Sequence, residues 1–204
     1  MAEITDVARL REIMGEPTGP ALDKDRDRLE PMHEAFLERS PFCVLSTSDA
    51  DGRCDASPKG DPVGSWHVVD DTTLAIPERP GNRRADGFVN VLANPHVGLL
   101  FLVPGRGDTL RVNGRARLLD DAPYLDELAV KGKRPVLVLE VAIEQIFFHC
   151  SKAFLRSNLW KPETWNPESA PSRAEIAHQM ERKNQSLEEI REYYDSPEYA
   201  KHLY

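Results

Sequence analysis

The chain has 204 residues, of which 40% are hydrophobic and 29% charged, and its formal net charge is −8. That length suits one domain with appendages rather than two full domains. The acidic balance argues against a nucleic-acid or anionic-membrane partner. No apolar run approaches the roughly 20 residues that span a bilayer, and no basic-then-apolar signal pattern opens the chain, so a cytoplasmic location is expected.

Residues 1–40 read as a peripheral helical extension. Val7, Leu10 and Met14 share one face of a first helix, and Met32, Phe36 and Leu37 share a face of a second that starts at Pro31. Between them, 15–28 is rich in Gly, Pro and Asp and reads as a surface connection that wraps the body of the domain. From Phe42 the period changes to that of strands. FCVLSTS and RCDASPKG form a pair around Asp51-Gly52, and GSWHVVD and TTLAIP a second pair around Asp70-Asp71. A Pro/Gly turn at 78–81 then leads to a helix expected from near Asn82, which would cap it. Ala85, Phe88, Val89, Leu92 and Ala93 lie on one face of that helix, and Asn94-Pro95 is its stop.

VGLLFLV suits a fully buried strand, and TLRVNGRARLL alternates Leu110, Val112 and Gly114 against Arg111, Asn113 and Arg115. PVLVLEVAIEQIFFHC is the last long strand, after a helix expected from Pro123 to Val130. Strands linked mostly by short turns give the expected fold class: mainly β with peripheral helices, a small closed or split antiparallel barrel. Beyond it, Lys152, Arg156 and Trp160 recur at four-residue spacing, which puts them on one side of a short helical turn. Residues 157–171 read as an ordered surface segment. Ser172 with Glu175 then caps a last helix carrying Ile176, Met180, Leu187, Ile190 and Tyr194, which packs on the barrel or across a dimer.

Two groups of residues bear on chemistry. The three cysteines, Cys43, Cys54 and Cys150, are too scattered for a disulfide framework or a zinc site, and His67, His96 and His149 fall on or beside separate strands, so no metal is expected. Arg79, Arg83 and Arg84, in contrast, crowd an expected helix start, where the macrodipole favours an anion and acidic side chains are usual. Guanidinium forks at such a place invite a phosphate; the plainer reading is a solvated turn.

Four stretches carry a resemblance: DGRCDASPKGD (51–61), LAIPERPGNRRAD (74–86), NPHVGLLFLVPG (94–105) and TLRVNGRARL (109–118). In that order, over about Phe42 to Trp160, the chain resembles an FMN-binding split barrel of the pyridoxamine 5′-phosphate oxidase class. The resemblance implies an FMN-binding split-barrel domain at 41–160, followed by a C-terminal segment and helix at 161–204. It also implies a homodimer with FMN at its interface. Asn82, Arg83 and Arg84 stand where the family holds the flavin phosphate, and Pro77 belongs to the same set. Ser57 stands where the oxidases have an arginine, with Lys59 on the same strand face. Thr109, Arg111 and Asn113 match a strand that contacts the flavin across the dimer.

Lys152, Arg156 and Trp160 lie near the family's Arg-x-His-x-Arg element, which grips the substrate's phosphate. That triplet is absent here, so pyridoxamine 5′-phosphate is not the expected substrate. The expected function is an FMN-dependent oxidoreductase acting on a small organic molecule by hydride transfer. In it, Arg111 or a C-terminal cation would meet the charge of the reduced flavin. The alternatives are a flavin-binding or storage module without turnover, or a split-barrel relative that uses haem or a deazaflavin. No catalytic acid or base is identified.

Overall fold

The period-2 stretches form seven strands in the computed structural model, which describes residues 2–201: β1 Phe42–Ser48, β2 Cys54–Gly60, β3 His67–Asp70, β4 Thr73–Glu78, β5 His96–Leu102, β6 Thr109–Leu119 and β7 Leu137–His149. They make one sheet in the order β2-β1-β5-β6-β7-β4-β3, and every pairing is antiparallel. The expected mainly β class with peripheral helices is what forms. Alternation decides the faces: Cys43, Leu45, Leu99, Phe101, Leu110 and Val112 are at most 1% exposed and point into one core. Each Leu or Phe buried in this way stabilises the fold by about 1.5–3 kcal/mol.

Among the described residues no backbone hydrogen bond joins the two ends of the sheet; side chains do. β2 is one edge and β3, beside β4, the other. Lys59 of β2 nevertheless meets Glu78 of β4 at 2.6 Å, with the two side chains only 13% and 22% exposed. Just beyond both strands, Arg79 meets Asp61 at 2.7 Å, with 10% and 2% exposed. Arg79 also donates to the carbonyl of Leu128 at 2.8 Å. These pairs close the curled sheet into a split barrel.

A bulge sets the other main feature. Asn113 pairs with Gln145 but Gly114 pairs with Ile143, so Glu144 is an extra residue in β7. Before it Val141 and Ile143 are buried in the core, whereas after it Ile146 is the core residue and Gln145, Phe147 and His149 stand opposite Asn113, Arg111 and Thr109. Gly114 permits the close approach this requires, because a Cβ there would lie 2.0 Å from the carbonyl oxygen of Ala142.

Outside the sheet, α1 (Val7–Met14) is capped by Asp6 and buries none of its residues. In α2 (Pro31–Leu37), Pro31 opens the helix, and His33, Phe36 and Leu37 are buried. The connection between them does wrap the body. Arg26 and Ile146 exchange backbone hydrogen bonds of 3.0 and 2.8 Å, extending the sheet where β4 has ended.

Three expected elements differ. The helix placed near Asn82 is α3 (Asp86–Ala93), starting four residues later, because Arg83 and Ala85 take left-handed φ values of 63° and 57°. Asn82 does not cap it; its Oδ1 accepts from the N–H of Arg84 at 3.0 Å, a local turn. The expected apolar face is only partly inward: Phe88 packs on the core, but Val89 and Leu92 are 61% and 77% exposed, while Asn90 and Val91 are buried. Asn90 wins that place by donating to Thr47 Oγ1 at 3.1 Å and Asp55 Oδ2 at 2.7 Å.

Residues 123–130 form successive turns rather than a helix, held by three-residue bonds such as Leu125 N–H to Ala122. The single last helix is two, α5 (Arg173–Met180) and α6 (Leu187–Asp195), followed by a short α7 (Pro197–Ala200) after α4 (Lys152–Ser157). Ser172/Glu175 and Ser186/Glu189 are capping boxes that start α5 and α6 separately. Ala174, Ala177 and Ile190 bury one another in a small core of their own.

Arg79→Met should destabilise the protein by about 3–5 kcal/mol, because it leaves Asp61 as a buried charge without its partner. Arg53→Met removes pairs to Asp49 and Asp51 from an arginine side chain 76% exposed and should cost under about 1 kcal/mol. Urea denaturation measures both, and equal costs would remove the seam as a structural element. Gly114→Ala should cost about 1–3 kcal/mol or more by forcing β6 from β7 at the bulge; an unchanged melting temperature would contradict that close approach.

Candidate functional site

The seam opens into a cleft. It has a volume of about 410 Å3 and is lined by Ser57 and Lys59 of β2, Glu78, Asn82 and Arg84 of the following turn, and Phe88 of α3, among others. A second cleft of about 560 Å3 shares Lys59, Glu78 and Asn82 with it and adds Pro77, Tyr193 and Tyr199. The start of α3 lies over Ser57: a Cβ on Gly87 would be 3.4 Å from Thr47 Oγ1 and 4.0 Å from Ser57 Oγ. Ala85 stands at the N-cap and no side chain caps the helix; its carbonyl accepts from the N–H of Phe88 at 2.9 Å, which leaves the N–H groups of Asp86 and Gly87 uncapped.

The structure thus brings Ser57, Lys59, Pro77, Asn82 and Arg84 together. Arg83 lies in the same turn but lines neither cleft. The cations differ in how firmly they are held. Arg84 pairs with Asp86 at 2.7 Å, with side chains 74% and 45% exposed, and such a pair is worth about 0–1 kcal/mol. Lys59 is buried against Glu78 and lies 4.5 Å from the Phe88 ring centroid, so the seam keeps it. Asp55, the remaining carboxylate of the cleft, holds Asn90.

A second polar surface lies on the outward face of β6. Thr109 is buried, and Arg111 and Asn113 are half-buried. Arg111 lies 4.2 Å over the Phe147 ring and donates to Gln145 Oε1 at 3.3 Å, an acceptor it shares with Asn113 at 2.8 Å. Its Nε is buried without an acceptor. The N-terminal connection covers this face: Lys24 sits 4.1 Å over the same ring, and Gln145 donates to Asp25 at 2.6 Å. Burial first, then Arg111 and Lys24, hold the His149 imidazole below its usual range. Burial pushes the Cys43 thiol up to about 12, so it is inert.

The residues after β7 do not share one side. α4 ends at Ser157 and Asn158 turns left-handed at φ 52°, so Trp160 leaves the row of Lys152 and Arg156. Trp160 instead stacks on Phe154 at 6.0 Å and donates to the carbonyl of Arg106 at 2.7 Å. None of the three lines either cleft. Sequence reasoning missed Lys24, Gln145, Tyr193 and Tyr199. The bulge and the curl of the chain bring the first two to Arg111. The adjacent Tyr193-Tyr194 on the amphipathic α6 were the available signal for Tyr193, and none was available for Tyr199. No cluster of metal-ligating side chains occurs among the described residues, and no helix there is long and apolar enough to cross a membrane.

The donor set fits a flavin mononucleotide. The uncapped α3 start, the Ser57 hydroxyl and the loosely held Arg84 suit a phosphate dianion, and the orphaned Arg111 Nε suits an acceptor edge of a ring.

No curated protein matches the chain. HupZ of Group A Streptococcus is similar in structure at TM-score 0.47 and 19% identity, over 59% of this chain and 93% of that one. A candidate pyridoxamine 5′-phosphate oxidase of Lactobacillus delbrueckii gives 0.47 and 25%, over 61% and 98%. An FMN-binding protein of Syntrophomonas wolfei gives 0.42 and 16%, over 58% and 89%. The family profile described as pyridoxamine 5′-phosphate oxidase matches residues 29–150, which take in all seven strands and both polar surfaces, and this chain belongs to that family.

Proposed function

We propose that this protein is an FMN-binding flavoprotein that acts as an oxidoreductase on a small organic molecule, working as a homodimer with FMN at the subunit boundary. The observation that carries the reading is the uncapped start of α3 over Ser57, with Arg84 in the same cleft and Arg83 beside it in the chain, in a member of this family. FMN, when bound, supplies reversible hydride transfer. The chain's own residues bind and orient it. Ser57, Arg84 and the N–H groups of Asp86 and Gly87 take the phosphate, with the Asp86 carboxylate released from its exposed pair. Lys59 keeps the cleft open by holding Glu78 across the seam.

Arg111 supplies fixed positive charge on the β6 face, where its cation is already desolvated and oriented by Phe147 and Gln145. Thr109 and Asn113 belong to the same surface. Dimerisation is supported by the outward residues Val44, Leu100 and Leu102, half-buried in the single chain, and by the exposed Val89 and Leu92 of α3.

The purified protein should show a flavin absorbance spectrum and release FMN. Arg83→Ala with Arg84→Ala removes charge-assisted bonds worth about 1.5–3 kcal/mol each, so FMN affinity should fall by roughly two orders of magnitude while riboflavin affinity changes far less. Equal losses would return both arginines to supporting the turn. Anaerobic reduction by NADH or NADPH, followed by reoxidation with an added acceptor, distinguishes an enzyme from a carrier. Light scattering at micromolar concentration should give twice the chain mass; a monomer with flavin bound would remove the interface from this reading.

A further inference from the structure

We infer that the second cleft is a binding site for a planar, uncharged aromatic molecule bearing a hydroxyl or carbonyl group, and that Tyr193 and Tyr199 of the C-terminal helices are its specificity-determining wall. This names the substrate class of the oxidoreductase proposed above, and it rests on that reading for the word substrate, though not for the binding.

The walls carry the argument. One side of the cleft is Pro58, Pro77 and Pro80 from the barrel, and the other is Tyr193 and Tyr199. Flat proline faces and aromatic rings favour a flat ring between them by dispersion and by offset or edge-to-face contact. The volume of about 560 Å3 lies in the range of small-molecule sites.

The tyrosines are not loose ornaments of the tail. Tyr193, Tyr194 and Tyr199 meet pairwise at 5.1–5.6 Å, each pair edge-to-face. Tyr194 packs on the small core of Ala174, Ala177 and Ile190. Arg182 lies 4.5 Å over the Tyr193 ring. The wall therefore has its own support, and it lies outside the stretch that matches the family.

Charge selects against an ionic ligand. Lys59 and Glu78 neutralise each other at 2.6 Å, and Arg79 is met by Asp61 at 2.7 Å. A charged ligand would have to break a buried pair, whereas an uncharged one leaves both intact. Hydrogen-bonding capacity remains: Asn82 uses its Oδ1 on Arg84, leaving its amide NH2 to donate. Neither Tyr193 nor Tyr199 has a hydroxyl partner among the described residues.

The test is calorimetric titration of the full-length protein with 2-naphthol, with decahydro-2-naphthol as the non-planar control and 2-naphthoate as the charged one. The expected result is binding of 2-naphthol at least about tenfold tighter than either control. Tyr193→Leu and Tyr199→Leu, singly and together, should weaken 2-naphthol by about tenfold or more while FMN affinity changes by less than about threefold. Both side chains are 40% or more exposed, so the fold tolerates the change. Should a leucine variant misfold, Tyr193→Phe and Tyr199→Phe keep the ring and should bind 2-naphthol within about threefold of the parent.

Equal binding of decahydro-2-naphthol, tighter binding of 2-naphthoate, or leucine variants indistinguishable from the parent would each overturn the inference. A protein that binds 2-naphthol with this residue dependence but no FMN would sink the flavin reading and leave the aromatic site standing.

Discussion

The barrel depends on the closure of a sheet whose two ends share no backbone ladder. An open seven-stranded sheet with a twisted hydrophobic face must cover that face or curl upon it. Here the curl is held by Lys59 on Glu78 and by Asp61 on Arg79, pairs that gain strength from their burial but also need each partner because of it. Lys59 and Glu78 line both clefts and Arg79 lines the second, so the place where the fold is least redundant is also the place where a ligand would enter. The seam cations Lys59 and Arg79 are committed to carboxylates, and what remains for an anion is the loosely paired Arg84, the outlying Arg83 and the open start of α3.

Most of the strand framework was legible, because alternation reports a half-buried strand directly. Thr109, Arg111 and Asn113 on one face, Leu110 and Val112 on the other, follow from that period alone. The pairing of β1 with β2 was legible from the turn at Asp51-Gly52, and the start of α2 from Pro31 at its first position. The start of α3 was not legible, since two non-glycine residues in left-handed conformation lie between Asn82 and Asp86, and propensity disfavours both. Its buried face was misread for a related reason. Asn90 is polar by composition but buried by virtue of two hydrogen bonds to partners 35 and 43 residues away, which no local pattern contains.

The candidate site divides along the same line. The cationic turn is local and could be seen, as could the serine and lysine on one face of β2. What Lys59 does could not be seen, because its partner lies across the seam, 19 residues on. Nor does spacing carry past a helix end: Trp160 is four residues from Arg156, but the left-handed Asn158 breaks the relation that spacing assumes. In each case the missing information is a contact between segments distant in sequence.

The extra residue in β7 works as a parity switch. Side chains alternate with period two, so one unpaired residue exchanges inside for outside along everything that follows it. If β7 kept its length but lost the bulge, Glu144 would pair with Asn113, Phe147 and His149 would face the core, and Arg111 would lose the ring it rests on. Deletion of Glu144 would restore a regular ladder with every other face unchanged, whereas deletion of Ile146, with the bulge kept, would move Phe147 and His149 to the core side together. Change in chain length beyond the bulge is therefore a different order of event from change in residue type, and Glu144 is the one residue of this stretch whose loss leaves the two faces as they are.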